Sequence, residues 1–406
     1  MRRDLDAKEH TLREGTPDDA VCGVVPAHVA CPAGTGALAS LMTAAHRNGL
    51  SVTARGGGTG LAWGAPPRSL DLLVDTSALS WIDHDAGDLV VEAGAGTPLA
   101  ELGRVLAAAG QRLSYDPVRL GGTVGGALAT GASGPRRLLA GALRDLVIGM
   151  SVVRADGAVA RSGGRVVKNV AGYDLAKLHT GGYGTLGVIT AAAFRLHPLP
   201  AAVRVVSAEM PSDSRAKRAL AALRGTAVVP SAVELDRPAE GPGRLVVVLE
   251  GTPEGLVSRV GETSRALGGE TEVAEELPGD WGVLPAEGCL IRVLAPPAEL
   301  PDLASGLGRL ARDGFGASVR GTASVPAGCL YLAFPPGTSA GAVAAVLERA
   351  RAGTGRSAVL LRAEPHVLAA GVDLWGEVPG LSLMRAVKDS LDPGHRLSPG
   401  RFAGGI

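Results

Sequence analysis

The residues of this chain with the most chemical meaning carry no side chain. Ala54 to Pro67 reads ARGGGTGLAWGAPP, with four glycines among the five residues after Arg55. A second cluster, GGTVGGALATGASG, spans 121–134, and a third, GGRVVKNVAGYDLAKLHTGGYGTLGVIT, spans 163–190. Glycine lets the backbone reach positive φ and lets a ligand approach with no Cβ in the way. Successive amides can then turn to one side and form a concave anion nest. The first cluster lacks the Gly-Lys-Ser/Thr ending of an ATP-binding P-loop. It also fails the G-x-G-x-x-G pattern, and strand-like sequence rather than a helix follows it, which disfavours a Rossmann unit. Taken alone it reads equally as a mobile turn. Together, two nests suit two linked phosphates and a third segment holds the remainder of a long ligand. The chemistry expected is the binding of a dinucleotide-sized cofactor outside a Rossmann fold.

The elements that must position these loops follow from periodicity. A helix is expected over Ala37 to Arg47, stopping before Asn48-Gly49. SVTA (51–54) is a short strand running straight into the first cluster, and LDLLVDT, SWIDHD and DLVVEAGA alternate as strands. Thr97-Pro98 reads as the cap and first turn of another helix, and LVIGMSVVRADGAVA as a hairpin turning at Asp156-Gly157. LGVITAAAFRL is a last strand before HPLP closes the region near 200. Beyond it a strand, a proline break and a helix recur four times, which suits one or two ferredoxin-like βαβ modules. True duplication and convergent patterning both explain the echo. The expected divisions are an N-terminal arm (1–33), a cofactor domain (34–200), an α/β cap (201–375), and a C-terminal helix and tail (376–406) returning to the cofactor domain.

Composition sets outer bounds. The 406 residues allow two sizeable cores. Forty basic residues balance forty acidic ones and aromatics are only 3%, so neither a nucleic-acid surface nor an anionic membrane is indicated. The 59 glycines are about twice the roughly 28 that average usage gives. None of the four cysteines forms a Cys-x-x-Cys pair, so no zinc or iron–sulfur site is expected. MRRDLDAKEHTLREG has no apolar core of a signal peptide and no run reaches the roughly 20 apolar residues of a membrane span, so a cytoplasmic protein is expected.

VTARGGGTGLAWGAPP, LVVEAGAGTPLAELGRVLAAAGQRLSYDP, GGTVGGALATGASGPRRLLAGALRD and the third cluster resemble the FAD-binding domain of the para-cresol methylhydroxylase (PCMH) and vanillyl-alcohol oxidase superfamily. KNVAGYDLAKL and the terminal LDPGHRLSPGRF narrow the likeness to the FAD-binding subunits of bacterial glycolate oxidases. The resemblance is dense over about 20–200, thin over 200–375, and returns at the tail. It implies an α+β chain: a PCMH-type two-subdomain FAD-binding domain followed by an α/β ferredoxin-like cap. It implies that Arg55, Gly56, Gly57, Gly58, Thr59 and Gly60 wrap the pyrophosphate through backbone N–H groups. Gly121, Gly122, Thr123, Gly125 and Gly126 supply the other half of the cradle. Asp116-Pro117 and Ser133-Gly134 are placed near the flavin ring, and Gly187, Val188 and Ile189 at the adenine end. Some superfamily members attach the flavin through a histidine in the first loop. Here Gly56-Gly57-Gly58-Thr59 stands in that place, which implies a non-covalent FAD.

Oxidising a 2-hydroxy acid needs a base for the hydroxyl proton and a cation for the carboxylate. The related catalytic subunits carry clustered histidines and a Glu-His-Gly phrase. Beyond 200 this chain has only His366 and His395, neither in that context. No catalytic residue is assigned. Lys168, Asn169, Tyr173 and Asp174 form the densest polar group near the expected flavin, and a loop tied by its own polar groups explains them equally. The resemblance therefore implies a flavoprotein subunit working with a homologous catalytic FAD subunit and an iron–sulfur subunit, meeting the 2-hydroxy acid indirectly and reaching the inner face of a membrane, if at all, through its partners. A stand-alone FAD-dependent hydroxy-acid or alcohol oxidoreductase and a structural flavoprotein are the alternatives.

Overall fold

The computed structural model describes residues 10–165 and 173–406. Two small sheets build the first unit. Strands β1 (His10–Glu14), β2 (His28–Pro32), β3 (Val52–Arg55) and β4 (Leu72–Asp75) form one, in the order β1-β2-β4-β3. Strands β5 (Ile82–Asp85), β6 (Val90–Gly94), β8 (Val147–Val153), β9 (Val159–Gly163) and β10 (Val188–Arg195) form the other, in the order β5-β6-β10-β8-β9. A two-residue strand β7 (Gln111–Arg112) pairs with β11 (His197–Pro198). Helix α1 (Thr35–Arg47) presents Leu38, Leu41, Met42 and Ala45 at helical spacing and buries them against Ala30, Val52, Leu72 and Val74, with Val153 and Val188 in the same core. It ends at Asn48, and Gly49 at φ +66° makes the left-handed exit that a residue with a Cβ resists.

Two local expectations are corrected. Residues expected as a loose N-terminal arm hold β1 and β2, and β1 is tied by Arg13, whose guanidinium pairs with the buried Asp19. Helix α2 (Leu99–Ala108) starts after Pro98 without a side-chain cap. The Thr97 hydroxyl instead bonds both the amide and the carbonyl of Trp81, at 3.1 and 3.0 Å, fastening the strand connection rather than the helix. The hairpin expected at Asp156-Gly157 joins β8 to β9, with Gly157 at φ +89°.

Helices α3 (Val124–Thr130) and α4 (Leu175–His179) complete the loops of this unit. The unit gathers Met1–Ser133, Ala142–Leu199 and Glu377–Ile406, and the second holds Gly134–Gly141 and Pro200–Gly376.

The second unit is one motif built twice. β12 (Ala202–Met210), α5 (Asp213–Arg224), β13 (Ala232–Arg237), β14 (Gly243–Gly251), α6 (Pro253–Leu267) and β15 (Glu272–Ala274) make a βαββαβ module. β16 (Leu290–Leu294), α7 (Leu300–Phe315), β17 (Arg320–Ser324), β18 (Cys329–Ala333), α8 (Ala340–Arg351) and β19 (Ser357–Arg362) repeat it. Each module is ferredoxin-like. β13 pairs antiparallel with β17, so the modules share one eight-stranded sheet in the order β15-β12-β14-β13-β17-β18-β16-β19. The four strand–helix copies legible in the sequence are the first and third strands of each module with their helices. Ser212, Thr252 and Ser339 cap α5, α6 and α8 through their side chains. Leu235, Val247, Ile291, Val293, Leu330 and Leu332 are fully buried along the strands, while Glu234, Arg292 and Tyr331 alternate onto the opposite face. Segment 134–141 ties to that face: Arg136 pairs with Glu250 at 3.1 Å, and Arg137 donates to the Tyr331 hydroxyl at 3.4 Å. Burial pushes the Tyr331 hydroxyl up to about 12.

The tail begins with α9 (Leu381–Leu391). Its residue Leu397 bridges in parallel to Val52, on the side of β3 away from β4, and the Ser398 amide donates to the Val52 carbonyl at 2.7 Å. The exposed edge of β3 is thereby covered. Lys388 is fully buried, and its ammonium donates to Asp392 (2.6 Å), the Leu397 carbonyl (2.9 Å) and the Thr185 carbonyl (2.7 Å). This one side chain joins the terminal helix, the tail and the third glycine cluster. No helix among the described residues is long and apolar enough to cross a membrane.

Candidate functional site

The three glycine clusters converge in the first unit. A Cβ at Gly57 would fall 2.1 Å from the Gly121 carbonyl oxygen, and one at Gly56 would fall 2.2 Å from the Thr123 hydroxyl. The first and second clusters are thus in backbone contact, and only glycine permits it. Gly131, left-handed at φ +62°, ends α3, and a Cβ there would lie 2.9 Å from Gly181 Cα. The amides of Gly181 and Tyr183 donate to the carbonyls of Leu128 and Ala129, at 2.8 and 2.9 Å. The second and third clusters are joined in this way.

An open cleft of about 730 Å³, part of it solvent, lies where they meet. Gly56, Gly57, Gly58, Thr59 and Gly60 line it, as do Gly122, Thr123 and Gly126. The amides of Gly57, Gly58, Thr59 and Gly60 reach no protein acceptor among the described residues, nor do those of Gly122 and Thr123. Gly58, at φ +75°, has open space where its Cβ would be. Trp63, only 1% exposed, lines the same cleft with its indole Nε1–H buried and unpartnered among the described residues. Arg119 and Arg401 line it too, and among the described residues no carboxylate does. Unsatisfied amides, an orphaned indole donor and two cations are what a pyrophosphate requires. The residues present fit a dinucleotide cofactor.

The other expected site residues lie elsewhere than in this lining. The Arg55 guanidinium pairs with Asp19 (2.8 Å) and Asp75 (2.7 Å), locking β3 in its sheet. Those bonds hold the Asp19 carboxyl far below the usual range. Asp116 is buried, and while its neighbours Tyr115 and Val118 line the cleft, Asp116 and Pro117 do not. Gly121 contributes the carbonyl that meets Gly57, and Gly125 packs on Ala95, just past β6, where a Cβ would lie 2.7 Å from that of Ala95. The buried Ser133 hydroxyl accepts the Leu143 amide at 3.0 Å, and the Gly134 carbonyl accepts from Arg137. Gly187 packs on the His179 ring, and Val188 and Ile189 are buried in β10. Burial lowers the His179 imidazole to about 4, which keeps it neutral.

Lys168 and Asn169 lie outside the described residues. Tyr173 is 89% exposed, and Asp174 caps α4 by accepting the Lys177 amide. His366 Nε2 sits 2.8 Å from the Thr338 carbonyl and His395 Nε2 sits 2.7 Å from Asp389, which accounts for both rings as structural donors. Among the described residues no group of three or more His, Cys, Asp or Glu could hold a metal ion. Sequence reasoning missed Trp63, Tyr115, Arg119, Tyr183 and Arg401 as lining residues. Trp63 and Tyr183 stood inside the glycine phrases themselves, the one usable signal.

Residues 26–163 match the family described as FAD binding domain. The chain is 43% identical over 123 residues to glycolate oxidase subunit GlcE of Escherichia coli (strain K12), covering 30% of this chain and 35% of that protein. It is 34% identical over 181 residues to the D-lactate dehydrogenase of Archaeoglobus fulgidus, covering 45% of this chain and 41% of that one. Against glycolate oxidase subunit GlcD of Bacillus subtilis (strain 168), identity is 30% over 217 residues, covering 53% and 46%. These matches span less than half the length of each relative. An alkyldihydroxyacetonephosphate synthase structure superposes with a TM-score of 0.70 at 18% identity, covering 93% of this chain and 76% of the other, which establishes the fold.

Proposed function

We propose that this FAD-binding oxidoreductase, one of a group of relatives that includes hydroxy-acid dehydrogenases and glycolate oxidase subunits, serves as a flavoprotein subunit of a complex oxidising glycolate or a similar 2-hydroxy acid. One observation carries the reading: the cleft lining combines an anion nest with two arginines and two tyrosines, and among the described residues contains neither carboxylate nor imidazole. The chain is equipped to hold a cofactor and lacks, at that cleft, the base that hydroxy-acid oxidation needs. When bound, FAD supplies the two-electron redox chemistry. The amides of Gly57 to Gly60 and of Gly122 and Thr123 bind its pyrophosphate, Trp63 donates from the indole, and the buried glycine seams keep the cradle rigid. The proposed attachment is non-covalent, supported by a first loop of glycines and a threonine and by a lining that holds no His or Cys among the described residues. A homologous catalytic FAD subunit and an iron–sulfur subunit are the proposed partners, on the cytoplasmic side.

The purified chain, mixed anaerobically with glycolate or D-lactate, keeps its oxidised flavin band, and the band bleaches once the partner subunits are added. Bleaching by the chain alone contradicts the subunit reading and establishes a stand-alone oxidoreductase. A band that never bleaches while the complex turns over makes the chain a structural flavoprotein.

A further inference from the structure

We infer that Arg401, delivered by the C-terminal tail, is the cationic contact for the phosphates of the bound dinucleotide. The inference rests on the cofactor reading above and adds a residue far outside the matched FAD-binding segment. Arg401 is 3% exposed and lines the cleft beside Trp63 and the first glycine loop. Its guanidinium donates to the carbonyls of Leu61 (3.0 Å) and Trp63 (2.7 Å), and it approaches Cys22 Sγ at 3.9 Å. These partners are neutral. No carboxylate lies within ion-pairing distance of it among the described residues, and none lines the cleft.

A buried guanidinium without a counter-charge is an expensive arrangement unless something supplies the anion. Burial accordingly weakens its hold on the proton, with only the Cys22 thiol and the Tyr183 hydroxyl acting in the other direction. Arg401 brings its charge to a cleft whose lining holds no carboxylate among the described residues. A dinucleotide brings two phosphates, and arginine is the side chain whose planar fork matches phosphate oxygens.

The position is built rather than accidental. The Arg401 carbonyl accepts the Ala65 amide at 3.1 Å, and the Pro399 carbonyl accepts the Arg68 amide at 2.8 Å. A Cβ at Gly64 would fall 2.7 Å from the Arg401 carbonyl oxygen, so Gly64 is needed for this approach. The Tyr183 and Phe402 rings pack with centroids 5.4 Å apart, and Lys388 anchors the tail from behind. Docking of the tail and loading of the cofactor are therefore coupled through one charge.

The test compares wild type, Arg401→Gln and Arg401→Lys as apo chains titrated with FAD and with ADP, at low and high salt, alongside apo melting curves. Arg401→Gln should weaken FAD and ADP about tenfold to a hundredfold, as expected for a charge-assisted bond lost to phosphate. The loss should shrink at high salt, Arg401→Lys should recover part of it, and the apo melting temperature should stay level or rise. FAD affinity within twofold of wild type overturns the inference. So does weakened binding matched by an equally destabilised apo chain, which assigns Arg401 to holding the 61–64 loop alone. Wild type that binds neither FAD nor ADP overturns the cofactor reading itself.

Discussion

The seams between the binding loops of the first unit and the helix interiors of the second use glycine in opposite ways. In the first, Gly56, Gly57, Gly125 and Gly131 sit where another backbone or side chain occupies the place of a Cβ. In the second, Gly261, Gly306 and Gly308 sit in helix interiors with nothing within 4 Å of that place. The first unit is built from three stretches of chain, and these four glycines sit at its close contacts. The second is a βαββαβ module repeated, held by alternating strands, buried leucines and valines, and capped helices. The difference teaches where function resides. A scaffold made of regular elements tolerates a spare methyl, whereas a binding site made of converging loops does not.

Three substitutions can break or sharpen that contrast. Gly57→Val should have the largest effect, lowering FAD retention about a hundredfold or more through overpacking of the seam. The Cβ strikes the Gly121 carbonyl rather than the ligand, so the damage is to the joint between two loops. Flavin absorbance of the purified variant checks it, and undiminished flavin content would remove the seam from the account. Lys388→Met comes next. It leaves Asp392 buried and unpaired, at a cost of about 3–5 kcal/mol to the first unit. Denaturant unfolding measures the loss, and adding Asp392→Leu should restore part of it. Gly308→Ala in α7 is the smallest, with an expected gain of about 0.5–1 kcal/mol in the unfolding of the second unit. A destabilised Gly308→Ala chain would show that the helix glycines of the second unit are as constrained as the loop seams of the first.

How far the sequence exposed all this depended on whether a residue's role was local. The glycine clusters were legible because each carries its composition within a few positions. Helix α1 and the β8–β9 hairpin were legible because periodicity and a turn dipeptide lie within one stretch. The four strand–helix echoes were visible, and the open question between one and two modules closed only when β13 paired with β17. Strands β1 and β2 were hidden because both are short, HTLRE being mostly polar and HVACP ending on proline, and because Asp19, which ties β1 and β3 together, is bonded by arginines 13 and 55. Lys388 reads as an ordinary solvated lysine of an amphipathic helix, and only the return of the tail buries it. The resemblance implied a backbone role for Arg55 at the pyrophosphate, and its side chain serves its sheet. Arg401 stood unremarked in the terminal phrase, yet it lines the cleft. Chain distance misleads about both, because the binding loops and the tail meet through tertiary contacts that no local pattern encodes.

The central claim is that three loop clusters and the returning tail form a cleft that holds one FAD without a covalent bond. Quantifying flavin in the purified chain before and after acid precipitation tests it directly. The account predicts about one FAD per chain, all of it released into the supernatant. Flavin that stays with the precipitate, or a chain that takes up none when FAD is supplied, would contradict it.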